Sequence, residues 1–479
     1  MPSATPFDRI TMFSQKIAAN FGHRPTDGQN ELIRQLDQFF SADANSIFLL
    51  RGYAGTGKTS MISALVRTLR YERIPVVLMA PTGRAAKVLS AYSSYRASTI
   101  HRRIYFALTD PNGHLVLKLQ KNSLKNAVFL VDEASMIGNE RTEAVFGGRV
   151  LLDDLMQFVF SGENCRLVLV GDVAQLPPVG LNVSPALNTV FLKNNYHYPV
   201  TKFELTDVVR QKTESGILHN ATRLRQLMIA HHYEPPFLNI QPFMDVESLS
   251  PNELPDIVSS CYSSVGQDDT VIITRSNKAA YQYNMAIRNQ ILARENELEA
   301  GDVLMVVKNN YFWLDEDSEA GFLANGDLIE VESVRNEEED YGFRFAEIQV
   351  KLLDYPDADS VSIKVILDSL TTNGPALTNE QNNQLYQNVL ADFSDIGDAK
   401  IRKEKVRNSP YFNAVQIKYA YAMTCHKTQG GQWNIIFIDP GYFKDQPLDL
   451  EFLRWLYTAL TRATTKVYLL NFPLSFLEE

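Results

Sequence analysis

Gly52-Tyr53-Ala54-Gly55-Thr56-Gly57-Lys58-Thr59 fills the pattern G-x-x-x-x-G-K-[ST] at every fixed position. An apolar run, Ser46–Leu50, leads into it, and a helix-like stretch from Lys58 to about Arg70 follows. The chemistry needs that order of strand, turn and helix. Glycines let the backbone curl around phosphate oxygens, and successive N–H groups point inward at the start of a helix. The pattern predicts a nucleoside triphosphate site built from Gly52, Ala54, Gly55, Thr56, Gly57, Lys58, Thr59 and Ser60. Lys58 is expected on the β- and γ-phosphates and Thr59 on Mg2+.

Similar apolar runs recur on either side. Pro75–Met79, Ala127–Val131 and Leu167–Val170 read as strands, and Thr82–Ser90 reads as a helix. Near-continuous Val/Leu/Ile strands separated by helices indicate a parallel sheet covered on both faces. A second set follows in Val271–Thr274, a helical Asn277–Arg288, Asn434–Ile438 and Lys466–Leu470. The segment between them differs. Asp302–Val307, Asp327–Val334, Phe343–Leu353 and Ser360–Leu367 are short strands linked by turns, including Asn325-Gly326, which is a small β-barrel pattern. A polar helical stretch, Asn379–Lys405, comes after it.

Val128–Val131 runs into Asp132-Glu133. Downstream of a phosphate loop, Asp132 is expected to hold Mg2+ through water. Glu133 is expected to polarise the attacking water, which implies hydrolysis and not binding alone.

The 479 residues suggest roughly two to four domains. A composition of 45% apolar and 21% charged residues excludes disorder for the bulk of the chain. No apolar run approaches the ~18–20 residues needed to cross a bilayer. The start of the chain lacks the basic and apolar regions of a secretory signal. Cys165, Cys261 and Cys425 are far apart, so neither a zinc site nor a disulfide framework is expected, and a reducing cytoplasm fits. A net charge of −10 argues globally against a nucleic-acid partner. Local fields decide binding, however. Between Gly83 and Asn126 stand Arg84, Lys87, Arg96, Arg102, Arg103, Lys118, Lys121 and Lys125 against Asp110 alone.

Nine elements appear in a familiar order. They are Gln29; the phosphate loop; Ala80-Pro81-Thr82-Gly83-Arg84-Ala85-Ala86; Ser98-Thr99-Ile100-His101; Val131-Asp132-Glu133-Ala134-Ser135; Gly171-Asp172-Val173-Ala174-Gln175-Leu176-Pro177-Pro178; Arg210; Thr424-Cys425-His426-Lys427-Thr428-Gln429-Gly430; and Tyr457-Thr458-Ala459-Leu460-Thr461-Arg462. From about residue 25 to 470 the chain resembles superfamily 1 helicases of the RecD/Dda-like, 5′→3′ branch.

The resemblance implies an α/β fold of two RecA-like P-loop domains, with a β-hairpin insertion and an SH3-like β-barrel insertion. The boundaries expected are 1–101 and 127–200 for the first RecA-like domain and 102–126 for the hairpin. The second RecA-like domain is expected over 201–297 and 412–479, and the barrel over 298–411. ATP would lie between the RecA-like domains and single-stranded nucleic acid across both. Gln175, Arg210 and Arg462 would reach the γ-phosphate, Arg462 as an arginine finger from the second domain. Gln29 would read adenine, although Thr26-x-x-Gln29 before Leu32, Ile33, Leu36 and Phe39 is also a capping box. Pro81, Thr82, Arg84, Thr99, His101, His426, Thr428 and Gln429 would contact the nucleic-acid backbone. Gln432 stands where many relatives carry an acid, and Trp433 beside it reads as core.

Arg103–Gln120 reads as a hairpin. Ile104–Leu108 is one arm, Leu115, Leu117 and Leu119 alternate on the other, and Asp110-Pro111-Asn112-Gly113 has turn chemistry. Its family counterpart is a strand-separating pin.

The activity implied is ATP-driven movement on single-stranded DNA with unwinding of tailed duplex, for which one chain suffices. An RNA or nucleoprotein-remodelling ATPase on the same scaffold is the second reading. A nucleotide-switched binding module is the third, and Glu133 and Arg462 argue against it.

Overall fold

The computed structural model describes residues 6–109, 115–139, 149–207, 215–315, 318, 320–355, 357–372, 374–442 and 448–478. Two parallel sheets form its centre. The first has six strands in the order Ala97–Thr99, Val76–Ala80, Val128–Val131, Arg166–Gly171, Ile47–Gly52 and Val200–Leu205. Every pairing in it is parallel. Phe48, Leu50, Val128 and Leu130 face one buried layer, while Ile47, Leu49, Phe129 and Val131 face the other. Alternate residues of one strand thus enter different cores, which is why these strands are apolar throughout.

The second sheet has five parallel strands: Val246–Leu249, Ala463–Leu470, Trp433–Asp439, Thr270–Thr274 and Ala422–Thr424. Val303–Val306, Leu328–Asp340, Phe343–Leu352, Val361–Ile366 and Val415–Tyr419 close into a barrel. Two register shifts bend its long hairpin, between Val331 and Ser333 and between Arg335 and Glu338. Helices Asn379–Ala391 and Ala399–Arg407 pack on it through Leu385, Val389 and Val406.

Two expected boundaries move. Val200–Leu205 pairs with the phosphate-loop strand, so the first sheet extends past residue 200. The barrel is closed by Val415–Tyr419, beyond residue 411. In both places a strand that belongs to one sheet in space follows a long excursion in sequence.

The barrel is tied to the second sheet by a buried ion pair. Arg288 grips both oxygens of Asp302, at 3.0 and 2.9 Å, and the Tyr421 hydroxyl donates to Asp302 at 3.0 Å. Arg288 lies on a π-helical turn, Ile287–Ile291, that continues the helix Asn277–Ala286. The expected hairpin forms, with Tyr105–Thr109 paired antiparallel to Leu115–Leu119. Its turn, residues 110–114, lies outside the described residues. At its root Tyr105 is buried and donates to Asp154 at 2.7 Å, and Arg149 grips the same carboxylate. Arg102 donates to the Ser318 carbonyl of the barrel at 2.7 Å. Among the described residues no helix is long and apolar enough to cross a membrane.

Candidate nucleotide site and the groove beside it

The strand Ile47–Gly52 delivers the phosphate loop, and the helix Lys58–Tyr71 receives it. Gly55 and Gly57 have φ of 75° and 85°, a region that glycine enters without strain. Gly57 sits at the position before the helix, so the turn that aims the N–H groups inward depends on it. Lys58 Nζ donates to the carbonyls of Gly52 and Tyr53, at 2.5 and 2.9 Å, and lies 3.9 Å from Asp172. The Tyr53 hydroxyl donates to Glu204 at 2.9 Å, and the Arg225 guanidinium lies 4.5 Å from the centre of its ring.

The capping box at Thr26 and Gln29 is present, and Leu32, Ile33, Leu36 and Phe39 are buried behind it. Gln29 Nε2 also donates to the Thr56 carbonyl at 3.0 Å. One amide therefore ties the helix Asp27–Ser41 to the phosphate loop.

Asp132, Glu133 and Asp172 stand at the carboxyl ends of adjacent strands, where ligands of parallel sheets bind. The Tyr92 hydroxyl donates to Asp132 at 2.5 Å, and the Glu133 N–H donates to its other oxygen at 2.8 Å. Burial pushes all three carboxyls above their ordinary range, and Lys58 pulls each of them back. Glu133 is also lowered by Arg462, whose Nη1 is 4.0 Å away. Arg462 stands just before the second-sheet strand Ala463–Leu470, is 4% exposed, and donates to the carbonyls of Thr458 and Gly431. Gln175 is buried, and its Oε1 has no partner among the described residues. Arg210 lies outside them.

Most of the expected nucleic-acid residues stand at the carboxyl ends of strands, beginning with the one paired to the Asp132 strand. Pro81 and Thr82 follow the strand Val76–Ala80, and Thr99 and His101 follow its neighbour. His426 follows the edge strand of the second sheet. The two sets meet, since a Cβ on Gly430 would come within 2.7 Å of the Ala85 Cβ. Arg84 donates to the Gln432 carbonyl at 3.1 Å and lies 4.0 Å from the Trp433 ring centre, while Trp433 is buried, as its core reading expected. Thr82 and Thr99 both cap helices. Burial lowers His101 to about 4, so near neutral pH it offers a hydrogen bond and no charge.

The side chains of Thr428 and Gln429 turn to protein partners. The Thr428 hydroxyl is buried on the Cys425 carbonyl at 2.8 Å. Gln429 donates to the Leu176 carbonyl of the first domain at 2.7 Å. Their motif places them, but packing turns them to protein partners. Sequence reasoning also missed Lys427, which donates to Asn325 of the barrel at 2.7 Å. It missed Asp327 too, a buried barrel acid lying against Gly83. These contacts join residues more than a hundred positions apart and leave no local pattern.

A phosphate loop, an acid pair two strands away in the same sheet and an arginine brought from a second parallel sheet define a two-domain P-loop NTPase. The AAA domain family matches residues 25–233, and the UvrD-like helicase C-terminal domain matches 419–470. The ATP-dependent DNA helicase dda of enterobacteria phage T4 is 24% identical, over 88% of this chain and 93% of that protein. An uncharacterized protein of Acanthamoeba polyphaga mimivirus is also 24% identical, over 90% and 97%. The ATP-dependent RecD2 DNA helicase of Deinococcus radiodurans is 31% identical, over 36% of this chain and 21% of that protein. A crystal structure of a Bacteroides Pif1 helicase with ADP-AlF3 and single-stranded DNA aligns over 94% of both chains at 15% identity, with a TM-score of 0.47. These matches make the chain similar to RecD- and Dda-like helicases of superfamily 1.

Proposed function

We propose that the chain is an ATP-driven motor that moves 5′→3′ on single-stranded DNA and separates the duplex ahead of it. The approach of Arg462, from the second sheet, to 4.0 Å from Glu133 on the first carries this reading. An arginine supplied across a cleft makes hydrolysis depend on how the two domains sit, which is what a motor needs and a switch does not. The phage T4 and Deinococcus radiodurans relatives are ATP-dependent DNA helicases, which supports DNA as the polymer.

Lys58 leaves the Gly52 and Tyr53 carbonyls to meet the β- and γ-phosphates. Glu133 orients the attacking water and takes its proton. Gln175 donates its amide N–H to the γ-phosphate, while its Oε1, which has no partner among the described residues, accepts from the attacking water, and Arg210 is a second cation there. Gln29 keeps one amide hydrogen and one lone pair for the adenine edge. Thr59 and Asp132 would hold Mg2+, since a hydroxyl and a carboxylate suit an ion that keeps waters and shares phosphate oxygens. When bound, the ion neutralises charge on the β- and γ-oxygens.

Pro81, Thr82, Arg84, Thr99, His101 and His426 track the DNA backbone without reading sequence. Thr428 and Gln429 act behind them by shaping the motif. One chain supplies both halves of the nucleotide site, so a monomer suffices. Three buried, unbonded cysteines fit a reducing cytoplasm.

ATPase rates with single-stranded DNA, single-stranded RNA, duplex DNA and no polymer test the reading. Single-stranded DNA should stimulate most. Equal or greater stimulation by RNA would favour the remodelling ATPase, and no stimulation by any polymer would favour the switch.

A further inference from the structure

Tyr457 lies on the helix Leu450–Leu460, on the second-domain side of the cleft, and is 1% exposed. Its hydroxyl accepts the Ala54 N–H of the phosphate loop at 2.8 Å. The same hydroxyl donates to Asp172 Oδ2 at 2.6 Å. Asp172 is in turn 3.9 Å from Lys58 Nζ and takes the Ala174 N–H on its other oxygen, at 2.9 Å. One phenol from the second domain thus joins a loop amide to the carboxylate beside the phosphate-binding lysine. Burial first, and Asp172 next, raise this phenol well above its ordinary range, so it keeps its proton. That single proton is committed to Asp172, which leaves a lone pair for Ala54. The next residue supplies a comparison. Thr458 Oγ1 accepts the Leu176 N–H at 2.8 Å, an interdomain bond that touches no phosphate-binding group.

We propose that Tyr457 is a positioning residue that reports phosphate-loop occupancy to the second domain, because its hydroxyl and the terminal phosphate of ATP compete for the Ala54 N–H. This rests on the ATP reading of the site. ATP that takes the amide breaks one half of the link and leaves the Asp172 half, which keeps Asp172 satisfied and Lys58 free for phosphate. Without the hydroxyl, ATP meets no competitor and binds more tightly. The second domain then loses both of the bonds that Tyr457 makes to the first, so its closure no longer follows loop occupancy and turnover falls.

The test uses the full chain with Mg2+, a fluorescent ATP analogue for affinity and single-stranded DNA for turnover. Tyr457→Phe should tighten nucleotide binding about five- to tenfold, the worth of one neutral hydrogen bond. It should also lower polymer-stimulated kcat on the order of tenfold or more, as misplacing a positioned group does. KM and kcat should therefore fall together. Unchanged or weaker binding by Tyr457→Phe would overturn the proposal. So would equal tightening by Thr458→Ala, because the effect would then come from loosening the domain interface in general. Tyr457→Leu gives the same readout should the Phe variant not fold. A wild-type chain that binds no nucleotide would sink the ATP reading itself, whereas a binding wild type with an unresponsive Tyr457→Phe sinks only the role of Tyr457.

Discussion

Lys58 is held at three points, two backbone carbonyls and Asp172, all of which it can exchange for phosphate oxygens. Lys58→Ala removes the compact cation that neutralises those oxygens and should abolish ATP turnover. Polymer-stimulated ATPase within a few-fold of wild type would contradict the phosphate-loop assignment. Glu133 is a half-buried carboxyl that desolvation raises from its ordinary 4.5. A general base must be deprotonated, so kcat should fall as pH drops through that raised value, at a pH above 4.5. Glu133→Gln keeps the shape but cannot take a proton. It should bind ATP and DNA, hydrolyse very slowly and lack the acidic limb. Loss of ATP binding along with turnover would make Glu133 structural. These residues were legible because a glycine pattern between a strand and a helix admits few other readings. Thr428 and Gln429 bond to protein partners, because a motif fixes where a residue stands and not which way its side chain turns.

The hairpin and the barrel carry the claims at the level of elements. The arms of the hairpin were legible from a period of two and a turn of Asp, Pro, Asn and Gly. Its root was not. Ile104 and Tyr105 are core residues of the first domain, anchored through Asp154. A Gly/Ser linker replacing Arg103–Gln120 would injure that core, so the informative replacement is Phe106–Lys118. It should leave DNA-stimulated ATPase largely intact and remove most unwinding of a tailed duplex. Near wild-type unwinding would show that the hairpin is no wedge. The barrel was legible as a run of short strands, but its closing strand was not, because Val415–Tyr419 returns only after the helices Asp368–Thr371, Asn379–Ala391 and Ala399–Arg407. The Arg288–Asp302 pair that seats the barrel joins two residues unremarkable in sequence. Asp302→Ala leaves the buried guanidinium of Arg288 uncompensated and should cost about 3–5 kcal/mol in urea unfolding. Arg288→Met with Asp302→Leu should cost clearly less, since it removes both charges together. Equal losses would mean that the pair contributes packing alone.

Across the whole molecule, two similar parallel sheets face each other through a small set of bonds. Tyr457, Thr458, Gln429 and Arg462 of the second domain touch Ala54, Leu176 and Glu133 of the first. Nearly all of these residues belong to motifs proposed to bind nucleotide or polymer, so on that reading the interface itself would carry a change at one ligand to the other. Arg462→Ala should lower polymer-stimulated kcat on the order of a thousandfold while leaving ATP binding in place. A net charge of −10 hides the basic stretch around Arg84 and Lys87, and only position in the fold explains how an acidic chain offers a polymer groove. The central claim is that ATP hydrolysis drives this chain 5′→3′ along single-stranded DNA and through a duplex. Strand separation measured with ATP on two duplexes, one with a 5′ single-stranded tail and one with a 3′ tail, tests it directly. The 5′-tailed duplex should be unwound and the 3′-tailed one left paired. Unwinding of the 3′-tailed substrate alone would reverse the direction, and ATP hydrolysis without separation of either would contradict the account.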